Sequence, residues 1–276
     1  MGDDVVSSRG VARGRVELRD VLVRYGDCVA LDGVSHDVDP GEWLGLIGAN
    51  GAGKSTLLRA LARLVRYHGS IRIHGGESHS LPRREFARLV AYVPQNPQFP
   101  AHMRAIDYVA LGRTPYQGYF GAESEHDRER CAALLDRLGM SHLILRPLST
   151  MSGGELQRLV LSRALAQEAP ILLLDEPTSA MDLGRRVEAL ELVDELRVER
   201  QLTVVSTLHD LTLAAQFVDR VLLLAKGRVV ADGVPDDVLV EESLNEHFDV
   251  RVEILRSANS GIVVVPRRSR KKIPHD

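Results

Sequence analysis

Apolar and polar positions divide this chain into segments of two periods. VELRDVLVRY (16–25) alternates as a strand with one solvated face does, and a second strand is expected near VSHDV (34–38). Trp43-Leu44-Gly45-Leu46-Ile47 is an unbroken apolar run, the pattern of a parallel strand buried on both faces. Leu57, Leu58, Leu61, Leu64 and Val65 then recur at helical spacing until His68-Gly69, where the helix is expected to stop. IRIHG (71–75) reads as a short strand, and AYVPQNPQFP (91–100) as a strand that its prolines end at Val93.

From Met103 to Gln167 the period turns helical, with loops at 112–121 and 146–154. Strands and helices alternate again through ILLLD (171–175), a helix near 185–200, LTVVST (202–207), a helix near 211–217 and VLLLA (221–225). The pattern predicts an α/β core interrupted by a helical lobe. A helix near 236–246 follows, then VRVEIL (250–255) and IVVVP (262–266) flanking SANSG as a hairpin. No repeat of fixed period is visible.

Composition narrows the class. At 276 residues the chain can bury a full core, and its formal charge of −3 creates no field that favours nucleic acid. Cys28 and Cys131 lie far apart without metal-ligand spacing, which suits a reduced, cytosolic setting. MGDDVVSSRG contains no apolar stretch of signal-peptide length, and Ser7 falls one place beyond the myristoylation pattern. No apolar run approaches the roughly 20 residues that span a bilayer, so a soluble chain is expected. Residues 1–14 read as a mobile lead-in. RRSRKK (267–272), within the basic tail 267–276, reads as a solvated end, with attraction to an anionic membrane surface as the other reading.

Three stretches carry chemistry. GANGAGKST (Gly48, Ala49, Asn50, Gly51, Ala52, Gly53, Lys54, Ser55, Thr56) fits the phosphate-cradling pattern G-x-x-x-x-G-K-[ST]. Its glycines let successive backbone N–H groups point inward as an anion nest, and the following helix adds the positive end of its dipole. Lys54 supplies a point charge for the β- and γ-phosphates, and Ser55 a hydroxyl for Mg²⁺. ILLLDE (171–176) ends a buried strand in two carboxylates, with Asp175 placed to grip Mg²⁺ and Glu176 to polarise an attacking water. In MSGGELQR (151–158), Ser152 and Glu155 read as an N-cap with its capping box, opening a helix whose paired glycines let an anion approach.

These three motifs, in this order and spacing, resemble the nucleotide-binding subunit of an ABC transporter, and the resemblance runs from Val16 to Pro266. It implies a P-loop NTPase (RecA-like) core, an α/β fold with an antiparallel β subdomain and an inserted α-helical subdomain at about 97–165. The ATPase domain would span 15–235, with a helix and hairpin extension over 236–266. It further implies ATP and Mg²⁺ as cofactors, Gln95 as the Q-loop glutamine that reaches Mg²⁺, and Ser179-Ala180-Met181-Asp182 as the D-loop. His209 is the implied switch histidine. Tyr25 is the implied adenine-stacking aromatic, although a tyrosine ending a strand is often only packing. Met151 and Met181 depart from the usual leucines by volume-conserving swaps.

The implied partners are a second copy of the chain, paired head to tail so that ATP lies between one P-loop and the other Ser152-Gly153-Gly154, and membrane permease subunits. A substrate-binding protein is implied indirectly, as is a place at the cytoplasmic face of the cell membrane. DYVALGRTPYQG (107–118) and HDLTLAAQFVDRVLLLAKGRVVADG (209–233) are similar to the ATPases of type II importers for iron–siderophore, haem or cobalamin. In those, the segment from Gln95 to Gly121 would receive the permease's coupling helix; a plain loop is the other reading of GRTPYQG. Alternatives are an ABC ATPase for a metal ion, an amino acid or an exported compound, or a non-transport ABC protein. The chain contains no N-K-x-D stretch of a guanine reader.

Overall fold

A computed structural model describes residues 13–118, 124–248, 251–257 and 261–267. Strand β1 (Val16–Tyr25) buries Val16, Leu18, Val21 and Val23, an alternation that slips by one place in its middle. Asp20 there adopts a left-handed φ of 50°, and the ladder to β2 (Cys28–Val38) shifts between Leu18 and Val21. The bulge returns the second half of the strand to the face that its first half already buries.

The phosphate loop follows β3 (Trp43–Ile47) and opens α1 (Lys54–Leu61). That helix ends earlier than its apolar spacing predicts. Arg63 takes a φ of 59°, its N–H bonds the Ala60 carbonyl, and the Leu64 N–H reaches back to Arg59 at 2.8 Å. This is a left-handed Schellman closure, and it leaves Leu64 exposed rather than on the buried stripe. The expected stop at His68-Gly69 is instead the start of β4 (His68–Ile73).

Beyond the two-residue β5 (Gly76–Glu77) lies α2 (Arg83–Leu89), which the sequence pattern did not disclose because it is short and none of its residues is fully buried. β6 (Val90–Val93) ends at the predicted residue. Helices α3 (Ala105–Ala110), α4 (Glu125–Arg137) and α5 (Gly153–Ala166) pack on one another. Part of the expected loop at 112–121 is a 3-10 turn over Leu111–Tyr116.

The alternation resumes through β7 (Ile171–Asp175), α6 (Leu183–Arg200), β8 (Thr203–Thr207), α7 (Leu211–Phe217) and β9 (Arg220–Ala225). An unanticipated β10 (Arg228–Gly233) turns back along β9. The expected single helix near 236–246 is two short ones, α8 (Pro235–Val238) and α9 (Glu241–His247), broken at Leu239, whose ψ of 67° leaves the helical range. β11 (Arg251–Ser257) and β12 (Gly261–Arg267) pair as the expected hairpin, with Ser257 opposite Gly261. The lead-in 1–12, the middle of SANSG (258–260), the end of the 112–121 stretch (119–121) and the tail beyond Arg267 lie outside the described residues.

Two main sheets result. One is antiparallel, in the order β2-β1-β4-β5, and the other runs β10-β9-β3-β8-β7-β6. All neighbours from β9 to β6 are parallel, so the C-terminal ends of β3, β6, β7 and β8 share one edge of the sheet. A crevice at that edge is where doubly wound folds bind ligands.

Alternate residues divide the core. Leu172 and Leu174 of β7 face the layer containing α3–α7 and the hairpin residues Val252 and Ile262. Ile171 and Leu173 face α1 and the antiparallel sheet. Among the described residues no helix is long and apolar enough to cross a membrane. Cys28 stands exposed on β2 and Cys131 is buried in α4.

Candidate functional site

Gly48 leaves β3 with a φ of 145°, and a Cβ there would come within 2.2 Å of the Leu224 carbonyl oxygen. Gly53, at a φ of 107°, caps α1 without any side-chain bond. The first turn of that helix therefore keeps its N–H groups for an incoming anion. Lys54, almost wholly buried, donates from Nζ to the carbonyls of Gly48 at 2.6 Å and Ala49 at 3.0 Å. Burial lowers the pKa of its ammonium, against the opposing pull of Glu176 and Asp175.

The P-loop is held from behind by main chain. Gly227, in the β9–β10 turn, donates to the Ala52 carbonyl at 3.0 Å and accepts from the Asp32 N–H of β2 at 2.9 Å. Added Cβ atoms on Gly53 and Gly227 would each fall 2.7 Å from the Ala30 carbonyl oxygen. Tyr25, at the end of β1 where the chain turns into β2, is about half exposed.

Asp175 is fully buried at the end of β7. Its Oδ1 accepts from Ser55 Oγ at 2.8 Å and from Thr207 Oγ1 at 3.1 Å, and its Oδ2 accepts from the Tyr92 hydroxyl at 3.3 Å. Burial, then the nearby carboxylate, pushes Tyr92 up to about 12, so its phenol stays a donor at physiological pH. Mg²⁺ takes oxygen ligands and is bound through one or two carboxylates together with substrate phosphates. Asp175 with the Ser55 hydroxyl, beside a phosphate-holding loop, is a donor set that fits it. Gln95, half-buried, lies two residues past β6, whose last residue pairs with Leu174 next to Asp175.

Glu176 sits in the left-handed region, with a φ of 52°. Such a backbone is uncommon for a residue with a Cβ and persists only where its surroundings hold it. Its N–H donates to Thr207 Oγ1 at 2.9 Å, and its carbonyl accepts from Gln157 Nε2 at 2.9 Å. Its side-chain Oε1 meets His209 Nε2 at 2.5 Å, with the carboxylate mostly buried and the imidazole mostly exposed.

Ser152, Gly153 and Gly154 open α5 with the predicted capping box. Glu155 N–H donates to Ser152 Oγ, and Ser152 N–H donates to Glu155 Oε2 at 2.6 Å. These three residues line a depression together with Ala180, Met181, Asp182 and Arg185. Asp182 caps α6 by accepting from the Arg185 N–H at 3.0 Å. Ala49, Asn50, Gly51 and Ala52 line a different depression. Within one chain, then, the P-loop gathers with Ser55, Asp175, Glu176 and His209, while Ser152–Gly154 and Asp182 form a second group elsewhere.

The GRTPYQG stretch lines a further depression with Arg83, Arg84 and Ala87 of α2. Arg113 is buried beneath it, bonded to Asp127 at 2.7 Å and Glu168 at 2.9 Å. Arg84 and Arg88 both donate to the Pro115 carbonyl. The stretch is thus braced by Arg84, Arg88 and Arg113.

The sequence model of the ABC transporter family matches residues 31–179, more than half of the chain, from within β2 to the start of the D-loop. The chain is an ABC transporter ATPase. The hemin import ATP-binding protein of Streptomyces coelicolor is 41% identical to it over 249 residues, covering 90% of this chain and 88% of that one. The iron(3+)-hydroxamate import ATP-binding protein of Bacillus subtilis is 35% identical over 234 residues, covering 84% and 87%. An ABC transporter solved in an inward-facing conformation superposes with a TM-score of 0.79 at 28% identity, over 93% of this chain and 98% of that one. A bacterial ABC transporter cassette solved as a dimer gives 0.72 at 27% identity, over 80% and 98%. The ABC ATPase fold and ATP binding are thereby shown.

Three polar side chains of this ABC ATPase escaped the reading of its sequence. Thr207 ends a strand, Tyr92 sits inside one and Gln157 lies mid-helix, where each residue type is ordinary. The available signal was their neighbourhood: Thr207 lies two residues before His209, Tyr92 three before Gln95, and Gln157 five after Ser152.

Proposed function

We propose that this chain is the ATP-hydrolysing subunit of a bacterial importer for an iron–siderophore, haem or cobalamin-type substrate. It would act at the cytoplasmic face of the membrane, peripheral to permease subunits that receive cargo from a substrate-binding protein. The siderophore and haem classes follow the relatives named above, and the cobalamin class follows the resemblance of residues 107–118 and 209–233; cargo itself is selected elsewhere in such an assembly. The observation that carries the ATPase reading is the paired hold on Glu176, with its backbone fixed at both ends and its carboxylate against His209.

Phosphoryl transfer asks the protein mainly for positioning and charge stabilisation. Lys54 exchanges its bonds to the Gly48 and Ala49 carbonyls for the β- and γ-phosphate oxygens, with the N–H groups of the loop and of α1 around them. Tyr25 stacks on the adenine. Ser55, Asp175 and Gln95 would hold Mg²⁺, which when bound neutralises charge developing on the phosphates. Glu176 orients the attacking water and takes its proton, and His209 steadies the γ-phosphate.

Two separated half-sites on one chain favour a head-to-tail dimer of two copies. Each ATP would be sandwiched between one P-loop and the other chain's Ser152-Gly153-Gly154, with the partner's Asp182 region closing the edge. The braced GRTPYQG platform is the surface we assign to the permease.

Glu176→Gln tests the assignment. ATP binding should persist, turnover should fall by at least about 100-fold, a loss in the range of general-base removal, and an ATP-dependent dimer should accumulate on size exclusion. Turnover at the wild-type rate would refute the role of Glu176. A variant that stays monomeric with ATP would refute the sandwich.

A further inference from the structure

The side chain of Gln157 touches the glutamate's main chain and the D-loop from the helix carrying Ser152–Gly154. It belongs to α5, five residues beyond Ser152, and is buried. Its Nε2 donates to the Glu176 carbonyl at 2.9 Å and to Ser179 Oγ at 3.2 Å. Its Oε1 accepts from the Ala180 N–H at 2.7 Å. Both N–H donors and the carbonyl of the amide are thereby engaged, which fixes its orientation and ties three segments at one point.

From these contacts we infer that Gln157 is a positioning residue that couples the two nucleotide sites of the dimer. Its bonds make the backbone of Glu176 in one site respond to the seating of α5 in the other. The inference rests on the sandwich reading above, in which the N-terminus of α5 serves the partner's nucleotide while Glu176 serves its own.

The geometry gives the coupling a direct route. A Cβ on Gly154 would stand 3.3 Å from the Ala180 carbonyl oxygen, so the start of α5 and the D-loop lie in near contact and cannot shift independently. A phosphate drawing the α5 N-terminus toward it moves a rigid helix, and Gln157 moves with that helix. The Glu176 carbonyl is bonded to Gln157, and Glu176 occupies a φ of 52° that its neighbours must maintain. Seating α5 correctly therefore completes the hold on Glu176, and a misplaced α5 loosens it. The two arrangements of α5, docked and undocked, are the two-state element that both sites bias.

Gln157→Ala removes all three bonds. Gln157→Glu keeps an acceptor for the Ala180 N–H but loses donation to the Glu176 carbonyl and to Ser179 Oγ, so it separates the hold on Glu176 from the bond to Ala180. Steady-state ATPase of the full chain should show kcat down by about tenfold or more with KM within about threefold, because P-loop binding is untouched. Wild type should show a Hill coefficient for ATP above 1 and the variants one of about 1, since coupling between sites is what cooperativity reports. A merely structural role would lower the unfolding temperature without moving the Hill coefficient. If the alanine variant does not fold, the glutamate variant carries the test.

A folded variant with wild-type kcat and Hill coefficient overturns the coupling, and so does a kcat loss that leaves the Hill coefficient unchanged. ATP-dependent dimerisation of Glu176→Gln serves as the control. Its absence, with non-cooperative wild-type turnover, overturns the sandwich and the coupling together. Its presence beside unaffected Gln157 variants overturns the coupling alone.

Discussion

The Thr207 hydroxyl donates to the carboxylate of Asp175 and accepts the backbone N–H of Glu176. A single oxygen atom thus sets the spacing between the two acids that end β7. Thr207→Val keeps the shape and deletes both bonds, leaving a buried N–H without a partner at a cost of about 1–3 kcal/mol. ATPase assays should show kcat lower by about tenfold or more for Thr207→Val, whereas Thr207→Ser, which keeps the hydroxyl, should stay within about threefold of wild type. Equal rates in the two variants would remove Thr207 from the machinery. At this scale the sequence disclosed residues that stand in motifs, because a pattern such as G-x-x-x-x-G-K-[ST] fixes spacing and chemistry together. It did not disclose Thr207, Tyr92 or Gln157, since their roles come from contacts between elements far apart in the chain. Gln157 and Glu176, for example, are 19 positions apart and meet only after α5 and β7 have packed.

Among the elements, α5 has a start that was legible from its cap, because a capping box is local chemistry. Glu155 accepts the Ser152 backbone N–H, and that bond, outweighing its burial, holds its carboxyl below the ordinary 4.5. A depressed acid stabilises the folded state above its unfolded pKa, and this contribution disappears as pH falls through the folded value. The stability gap between wild type and Glu155→Gln should therefore be widest near pH 6 and shrink below about pH 4, followed by urea melts at each pH. A gap that stays constant with pH would show that the carboxylate charge contributes nothing there. The end of α1 was misread for the opposite reason. Apolar spacing continued to Val65, but Arg63 adopts a left-handed turn, and a Schellman closure with arginine at that position carries no glycine to announce it. Helix α2 was missed because it is short and its apolar Phe86 and Leu89 are only half-buried, and the split of α8 from α9 because the backbone break at Leu239 has no proline or glycine.

For the whole molecule, the alternation of strand and helix specified the parallel sheet and the helical insertion, while the pairing order of the strands required the structure. The C-terminal hairpin changed most in meaning. Val252 and Ile262 belong to the same apolar layer as α3–α7, and the Val264 N–H donates to Thr212 Oγ1 on the helix that follows His209. The hairpin is thus part of the main core. Ile262→Ala should cost about 2–5 kcal/mol, as cavity-forming substitutions in cores do, and should lower the melting temperature in a single transition. A separate early transition confined to the hairpin would show that it folds on its own.

The chain of main-chain bonds from Ala52 through Gly227 to Asp32 works as a fixed gauge. Phosphate loop and antiparallel sheet are joined by main-chain atoms that every residue but proline possesses, and the Ala30 carbonyl leaves no room for a methyl group at Gly53 or Gly227. The distance from the phosphate cradle to the turn bearing Tyr25 is therefore a property of the backbone. If Tyr25 stacks on the base as proposed, side-chain changes at position 25 would alter how firmly it is gripped, but the length of ligand that fits between ring and cradle would stay the same.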